Sequence, residues 1–154
     1  MSGAIPGKNM RKIITYGTFD LFHMGHLRLL ERLRELGDHL TVAVSTDDFN
    51  AEKGKASVVC FQERAHIVSA LRCVDDVIPE QSWDQKRSDI IHRSIDIFGM
   101  GDDWVGKFDE LKAVCQVVYL PRTEGISTTL IRRSINGEAT ERVRAHVDAS
   151  LSEN

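Results

Sequence analysis

Paired cysteines, an excess of basic residues and long apolar runs are all missing from this sequence. Its three cysteines, Cys60, Cys73 and Cys115, are far apart and form no CxxC pair. Neither a disulfide framework nor a zinc ribbon is expected, and reduced thiols in a cytoplasm are the default. Lys and Arg number 20 against 23 Asp and Glu, for a formal net charge of −3. Generic nucleic-acid binding shows as a basic excess, so it has no support here, although a few converging cations still suffice for a local anion site. The opening letters, "MSGAIPGKNMRK", hold no apolar core for a signal peptide, and no stretch approaches a membrane span. The expected location is the cytoplasm, away from membranes. Walker A and GxGxxG sequences are absent, which removes support for P-loop and dinucleotide readings. GxSxG is absent too, which weakens a serine-hydrolase reading.

What is present is an alternation of short apolar strands with helical patterns. "KIITY" (Lys12 to Tyr16), "LTVAVS" (Leu40 to Ser45), "DVIP" (Asp76 to Pro79), "DIFGMG" (Asp96 to Gly101) and "QVVYLP" (Gln116 to Pro121) read as strands. Leu29, Leu30, Leu33 and Leu36 mark one helical stripe that Gly37 terminates, and Phe61, Ala65, Val68 and Leu71 mark another. Ile90, Ile91 and Ile95 suggest a helix, and another is placed around Leu111 to Val114. "STTLIRRSI" opens a last helix with capping hydroxyls, whereas "TDDFNAEKGKASVV" reads as a long polar loop. Five such strands predict a doubly wound α/β domain with a parallel sheet covered on both faces. Ligands then bind beyond the carboxyl ends of the strands. The loops that matter are "GTFDLFHMGH", "STDDFNAEKGK", "GDDWVGK" and "RTEGISTT".

Two of these loops suit phosphate. In "RTEGISTT", Gly125 permits close backbone approach, and Ser127, Thr128 and Thr129 stand beside the free N–H groups of a starting helix. Arg122 adds a charged fork, though a capped helix beside a surface arginine would carry the same letters. His23 and His26 supply only two metal ligands with no cysteine near, so a phosphate reading fits better than zinc. Helix-start polar residues, one of them capping, would again look the same. Asp20, Asp47, Asp102 and Asp103 fall on the same rim, where carboxylates hold Mg²⁺, a ribose hydroxyl or a basic side chain, or simply cap a turn. Lys53 and Lys55 flank Gly54 as hinged donors or as solubilising charge. Arg64 and Arg72 lie eight residues apart in one helix. That spacing turns them about 80° from each other, so one is expected to reach the site.

Together "GTFDLFHMGH" and "RTEGISTT" resemble the cytidylyltransferases of the HxGH nucleotidyltransferase superfamily. The likeness runs from about Arg11 to Asn136, through "STDDFN", "VDDVIPE", "MGDDW" and "VVYLPRTEGISTT". It sets residues 1–10 apart as an extension and 137–154 as a C-terminal helix or tail, leaving 11–136 as one domain of Rossmann-like nucleotidyltransferase fold. The resemblance implies transfer of CMP from CTP to sn-glycerol 3-phosphate, with Mg²⁺, giving CDP-glycerol and pyrophosphate for teichoic acid or capsular polymers. It implies CTP contacts from Thr18, Phe19, His23, His26, Lys55 and Asp103. The same holds for the run Arg122, Thr123, Glu124, Gly125, Ile126, Ser127, Thr128 and Thr129. Within this set His23, His26, Lys55 and Arg122 carry the catalysis. Lys53 and Lys86 resemble acceptor-phosphate lysines, with Asp20, Asp47, Arg64 and Arg72 also on the substrate side. Family members are typically homodimers, and "RCVDDVI" resembles their subunit contact, with Cys73 where an aromatic often stands. Other readings are a cytidylyltransferase for ethanolamine, choline or another polyol phosphate, an adenylyltransferase such as an FAD synthetase, and a nucleotide-binding module without catalysis. Choline would favour an aromatic cage, and only Trp83 and Trp104 fall near the expected mouth, which favours a polyol.

The chemistry agrees on separate grounds. A phosphate-monoester acceptor has a second pKa of about 6 and arrives ionised. Nucleotidyl transfer then needs charge neutralisation and alignment rather than a general base.

Overall fold

A computed structural model describes residues 9–123, 125 and 127–136. Residues 1–8 of the extension 1–10, the tail 137–154, and Glu124 and Ile126 lie outside the described residues. Five strands, β1 (Lys12–Gly17), β2 (His39–Ser45), β3 (Asp76–Glu80), β4 (Ile97–Gly101) and β5 (Gln116–Leu120), form one parallel sheet in the order β3-β2-β1-β4-β5. The doubly wound expectation is met, because successive residues of each central strand feed different cores. Ile13, Val42 and Ile97 pack beneath Leu30 and Leu33 of helix α1 (Met24–Glu35), and Val68 of helix α3 (Phe61–Ser69) joins them. Ile14, Ala43 and Phe98 face the other way, onto Ile90 of helix α4 (Gln85–His92), Phe108 and Leu111. Burial on both faces is why these strands read as continuous apolar runs.

Three local readings change. The polar stretch after β2 contains a helix, α2 (Asp47–Glu52), capped by Thr46, whose Oγ1 accepts from Phe49 N at 3.2 Å. Six residues with one buried apolar anchor, Phe49, are too short to show a helical period. Ile95 belongs to the buried turn before β4 and not to α4, which ends at His92. The segment around Leu111 to Val114 is a 3₁₀ turn, Asp109–Ala113, and a second one covers Asp102–Trp104. The last helix, α5 (Thr128–Ile135), starts where expected, with Ser127 Oγ accepting from Leu130 N at 3.2 Å.

The sheet order reverses direction between β1 and β4, and this junction positions the site. β1 and β2 pair over six residues, whereas β1 and β4 pair only at Ile13–Ile97 and Ile14–Phe98. Beyond Ile14 the ladder stops and the two strands leave a crevice at their carboxyl ends. Open α/β sheets bind ligands at such a switch point.

Candidate active site

Two adjoining cavities occupy the crevice. The first, of about 310 Å³, lies over the ends of β1, β4 and β5. It brings together Thr18, Phe19, His23, His26, Asp103, Arg122, Thr123, Ser127, Thr128 and Thr129, the residues expected to meet a nucleotide. The second, of about 560 Å³, lies toward β2 and β3 and gathers Asp20, Lys53, Lys55 and Lys86. Tyr16, Gly17, Thr18, Phe19, Met100 and Trp104 line both, as do His26, Thr128 and Thr129, so the two spaces share a wall. Lys55 falls in the second space beside Lys53, not in the first. Gly125 turns the chain at φ 84° without lining either.

The loop Gly17–His23 is held in a conformation that few side chains adopt unaided. Phe19 and Leu21 have φ of 54° and 48°, left-handed values that are strained for bulky residues. Asp20 between them anchors the turn. Its carboxylate accepts from Val58 N at 2.8 Å, Val59 N at 2.9 Å and Arg132 Nη2 at 2.6 Å, and its carbonyl accepts from Thr128 Oγ1 at 3.1 Å. Burial opposes the charge, but the two backbone donors and Arg132 prevail and hold the Asp20 pKa below its ordinary 3.8. Asp20 is therefore an ionised brace with its oxygens already engaged.

The two histidines do two jobs with their two nitrogens. His23 is the N-cap of α1, and its Nδ1 accepts from Gly25 N at 3.0 Å. His26 Nδ1 accepts in return from His23 N at 3.2 Å, which completes a capping box made of imidazoles. With both Nδ1 atoms acting as acceptors, the proton of each neutral ring sits on Nε2. Thr128 Oγ1 already donates to Asp20 O, so at 3.5 Å it stands as an acceptor for His23 Nε2–H. The rings stack at 3.9 Å between centroids, with Phe19 and Phe22 against His26. Burial, and then the Arg122 charge, lower the His23 pKa. Burial, and then His23, bring His26 down to about 3 against the opposing pull of Asp20. Both rings are neutral N–H donors at neutral pH. The capping reading is met by both rings, and each keeps an N–H on Nε2.

This ionisation has a thermodynamic consequence. The folded pKa of His26, about 3, lies below the ordinary 6.5, so the unfolded chain binds more protons between those values. The stabilisation is complete above pH 6.5 and is lost as pH falls below it, at up to about 1.4 kcal/mol per unit for this one group. Denaturant titrations between pH 6.5 and 3.8 are expected to show stability falling with pH in the parent protein, His26 contributing that slope and the lowered His23 pKa adding to it. His26→Asn is expected to show a shallower one.

Of the remaining residues expected on the substrate side, three stand elsewhere. Arg64 is a buried strut and not a ligand. Its guanidinium donates to Val59 O at 2.8 Å, Thr18 O at 2.7 Å, Ser45 O at 2.8 Å and Asp47 Oδ1 at 2.8 Å. Asp47 is spent on Arg64 and on Phe61 N, at 3.0 Å, so it tethers the start of α3. Arg72 is exposed beyond the end of α3 and lines neither cavity. Four hydrogen-bond partners close together make a buried arginine favourable, and they occupy four of its five N–H donors while the side chain itself is buried.

The second cavity also holds residues that sequence reasoning missed. Arg132 lines it, bonded to Asp20 and to Ala56 O at 3.0 Å. Its place one turn after Thr128 in α5 was the available signal. Glu80 ends β3, and its carboxylate takes Ser45 Oγ at 2.6 Å and Lys86 Nζ at 2.7 Å. Extending the strand-end rule to β3 would have found it. Lys53 Nζ reaches Ser45 Oγ at 3.4 Å. Burial lowers its pKa, as do Lys55, Lys86 and Arg64, while Glu80 opposes them. Among the described residues no three metal-ligating side chains cluster.

A family model described as cytidylyltransferase-like matches residues 14–134, which span both cavities. The chain belongs to the cytidylyltransferase-like family. Over 128 residues it is 59% identical to a glycerol-3-phosphate cytidylyltransferase of Bacillus subtilis (strain 168), covering 83% of this chain and 99% of that one. A glycerol-3-phosphate cytidylyltransferase of Staphylococcus aureus (strain NCTC 8325 / PS 47) is 51% identical over 129 residues, covering 84% of this chain and 98% of that one. Among solved structures, a lipopolysaccharide core biosynthesis protein from Thermoplasma volcanium GSS1 superposes with a TM-score of 0.64 at 26% identity, over 75% of this chain and 99% of its own. For a member of this family, the two cavities have an immediate chemical reading as adjoining sites for two substrates.

Proposed function

We propose that this chain is an enzyme that transfers CMP from CTP to sn-glycerol 3-phosphate, releasing pyrophosphate and forming CDP-glycerol. The observation that carries the reading is the wall, with His26, Thr128 and Thr129 in it, shared by a space that holds both histidines and Arg122 and by a lysine-lined one. Near-complete coverage of relatives named for that reaction supports the substrate pair.

In this reading CTP lies in the first cavity, with its triphosphate at the converging starts of α1 and α5. The Ser127 hydroxyl and the free backbone N–H groups at the start of α5 hold the β- and γ-phosphates. His26 Nε2–H, and His23 Nε2–H on leaving the 3.5 Å contact with Thr128 Oγ1, donate to the α-phosphate, where charge grows as the phosphorus becomes five-coordinate. Lys53 and Lys55 bring the acceptor phosphate to the wall and offset the repulsion of two polyanions. An oxygen of that phosphate attacks the α-phosphorus, the bond to the bridging oxygen breaks, and pyrophosphate leaves with the electron pair. No proton has to move, because the acceptor is already ionised. Mg²⁺ bound with the triphosphate would supply further neutralisation of phosphate charge, and Asp103, an exposed carboxylate lining the first cavity and now 3.5 Å from Arg122, would be the side chain to hold it.

We further propose a cytoplasmic homodimer that contacts its partner through Arg72–Ile78, a segment that leads into the sheet-edge strand β3. Its product would feed glycerol-phosphate polymer synthesis. Among the described residues no helix is long and apolar enough to cross a membrane. The test incubates purified protein with CTP or ATP and with sn-glycerol 3-phosphate, phosphoethanolamine or phosphocholine, and measures pyrophosphate. Release is expected with CTP and sn-glycerol 3-phosphate, and activity with ATP alone would overturn the cytidine assignment.

A further inference from the structure

Residues 53–59 carry Lys53 and Lys55 to the second cavity and belong to neither a helix nor a strand. Val58 in their midst is 64% exposed, so little apolar packing fixes them. Side chains from other elements hold their backbone instead. Val58 N and Val59 N donate to the Asp20 carboxylate, and Val59 O accepts from Arg64 Nε. Ser57 Oγ accepts from Asn50 Nδ2 at 2.9 Å. A further clasp comes from α5, where Arg132 Nη2 donates both to Ala56 O at 3.0 Å and to Asp20 Oδ2 at 2.6 Å. A segment secured by polar clasps, without a core beneath it, opens locally at low cost. Helix α5 is attached in a similar way, since none of its eight residues is buried. Among the described residues, its side-chain bonds to other elements come from Thr128 and Arg132, one turn apart on one face. Thr128 grips the carbonyl of Asp20, while Arg132 reaches the lysine-bearing segment itself.

We propose that Arg132 is a positioning residue that couples the two cavities: through it, a triphosphate seated at the start of α5 steadies the segment that presents Lys53 and Lys55. This inference rests on the two-substrate reading given above and deepens it. An anion bound by the first N–H groups of α5 fixes that end of the helix. One turn further on, Arg132 passes the restraint to Ala56 O directly, and to Val58 and Val59 through the Asp20 carboxylate that they share. The segment has two states, clasped and released, and a nucleotide that holds α5 in place favours the clasped one. Coupling of this kind is reciprocal, so an acceptor phosphate gathered by the lysines tightens the nucleotide by the same factor. Both bonds leave from one nitrogen, Nη2, so the role asks for a point donor and not for a planar fork. An ammonium can fill it and a thioether cannot.

The test compares the parent with Arg132→Met and Arg132→Lys. Amide hydrogen exchange at Val58 and Val59 is followed by NMR with and without CTP. The Kd of sn-glycerol 3-phosphate is measured by calorimetry with and without α,β-methylene-CTP, whose carbon bridge blocks transfer. In the parent, CTP is expected to slow exchange at both amides, and the analogue to tighten the acceptor, each about fivefold or more. Both effects are expected to persist in Arg132→Lys and to fall to about twofold or less in Arg132→Met, which still binds the nucleotide. Equal effects in the parent and Arg132→Met overturn the proposal. That result would follow if Arg132 only supported the fold or bound the acceptor itself, because either role acts alike with and without nucleotide. Absence of coupling in the parent, or its loss in Arg132→Lys, overturns the proposal as well, and these two proteins decide it if Arg132→Met does not fold. A parent that binds no sn-glycerol 3-phosphate overturns the acceptor reading alone, since the exchange measurement needs only CTP and still decides the role of Arg132.

Discussion

Replacing His26 with asparagine is expected to lower kcat about 10²- to 10³-fold, the loss associated with one preorganised donor to developing charge. The thermal midpoint should stay close to that of the parent, because the asparagine oxygen takes the place of Nδ1 and keeps accepting from His23 N, a bond of 3.2 Å in the parent. What disappears is Nε2–H. His26→Ala should lose the same donor and also the return bond of the capping box, adding about 1 kcal/mol of destabilisation. The pair of variants therefore separates the two nitrogens of one ring. Pre-steady-state pyrophosphate release and urea denaturation, run on the same preparations, provide the two readouts. Near-parent turnover in His26→Asn would remove the ring from the chemistry and leave it only the cap.

Arg64→Leu is expected to be the most destabilising single change near the crevice. It strands three carbonyls, those of Thr18, Ser45 and Val59, that now accept from one guanidinium. At roughly 1–3 kcal/mol for each dry acceptor, the loss is about 3 kcal/mol or more. Lysine should not restore it, since one ammonium on a flexible stem does not span acceptors arranged for a planar fork. The denaturation midpoint measures this directly. An Arg64→Leu protein with the parent's midpoint but impaired acceptor binding would instead make Arg64 a substrate ligand. The expected phenotype follows from where the three carbonyls lie. They belong to the loop after β1, the end of β2 and the segment before α3, so the strut ties together the chain segments that carry the site.

The legible parts of this protein are those whose information is local. Five apolar runs became five strands at nearly the boundaries read from them, because burial on both faces leaves an unbroken apolar pattern. Ser127 announced the start of α5 because a hydroxyl before a helix has one dominant use. The histidines were legible in place but not in their bonding, since a letter says where an imidazole sits and not which nitrogen caps the helix. Helix α2 went unread for a different reason: with Phe49 as its only buried apolar side chain, it has no stripe to display.

By itself, then, the sequence determined the strand count, the Ser127 cap of α5 and the loops at the carboxyl ends of the strands, His23 and His26 among them. Each of those depends on residues within a few positions of one another. Tertiary structure alone decided that Arg64 is a strut, that Arg132 neutralises Asp20 across 112 positions and that Lys86 lies caged against Glu80. A charged side chain has several possible partners and long reach, and its role is set by which carbonyls, carboxylates and rings the packed sheet brings within about 3 to 5 Å of it. That distance is a property of the folded crossing of strands and helices, and no local spacing encodes it.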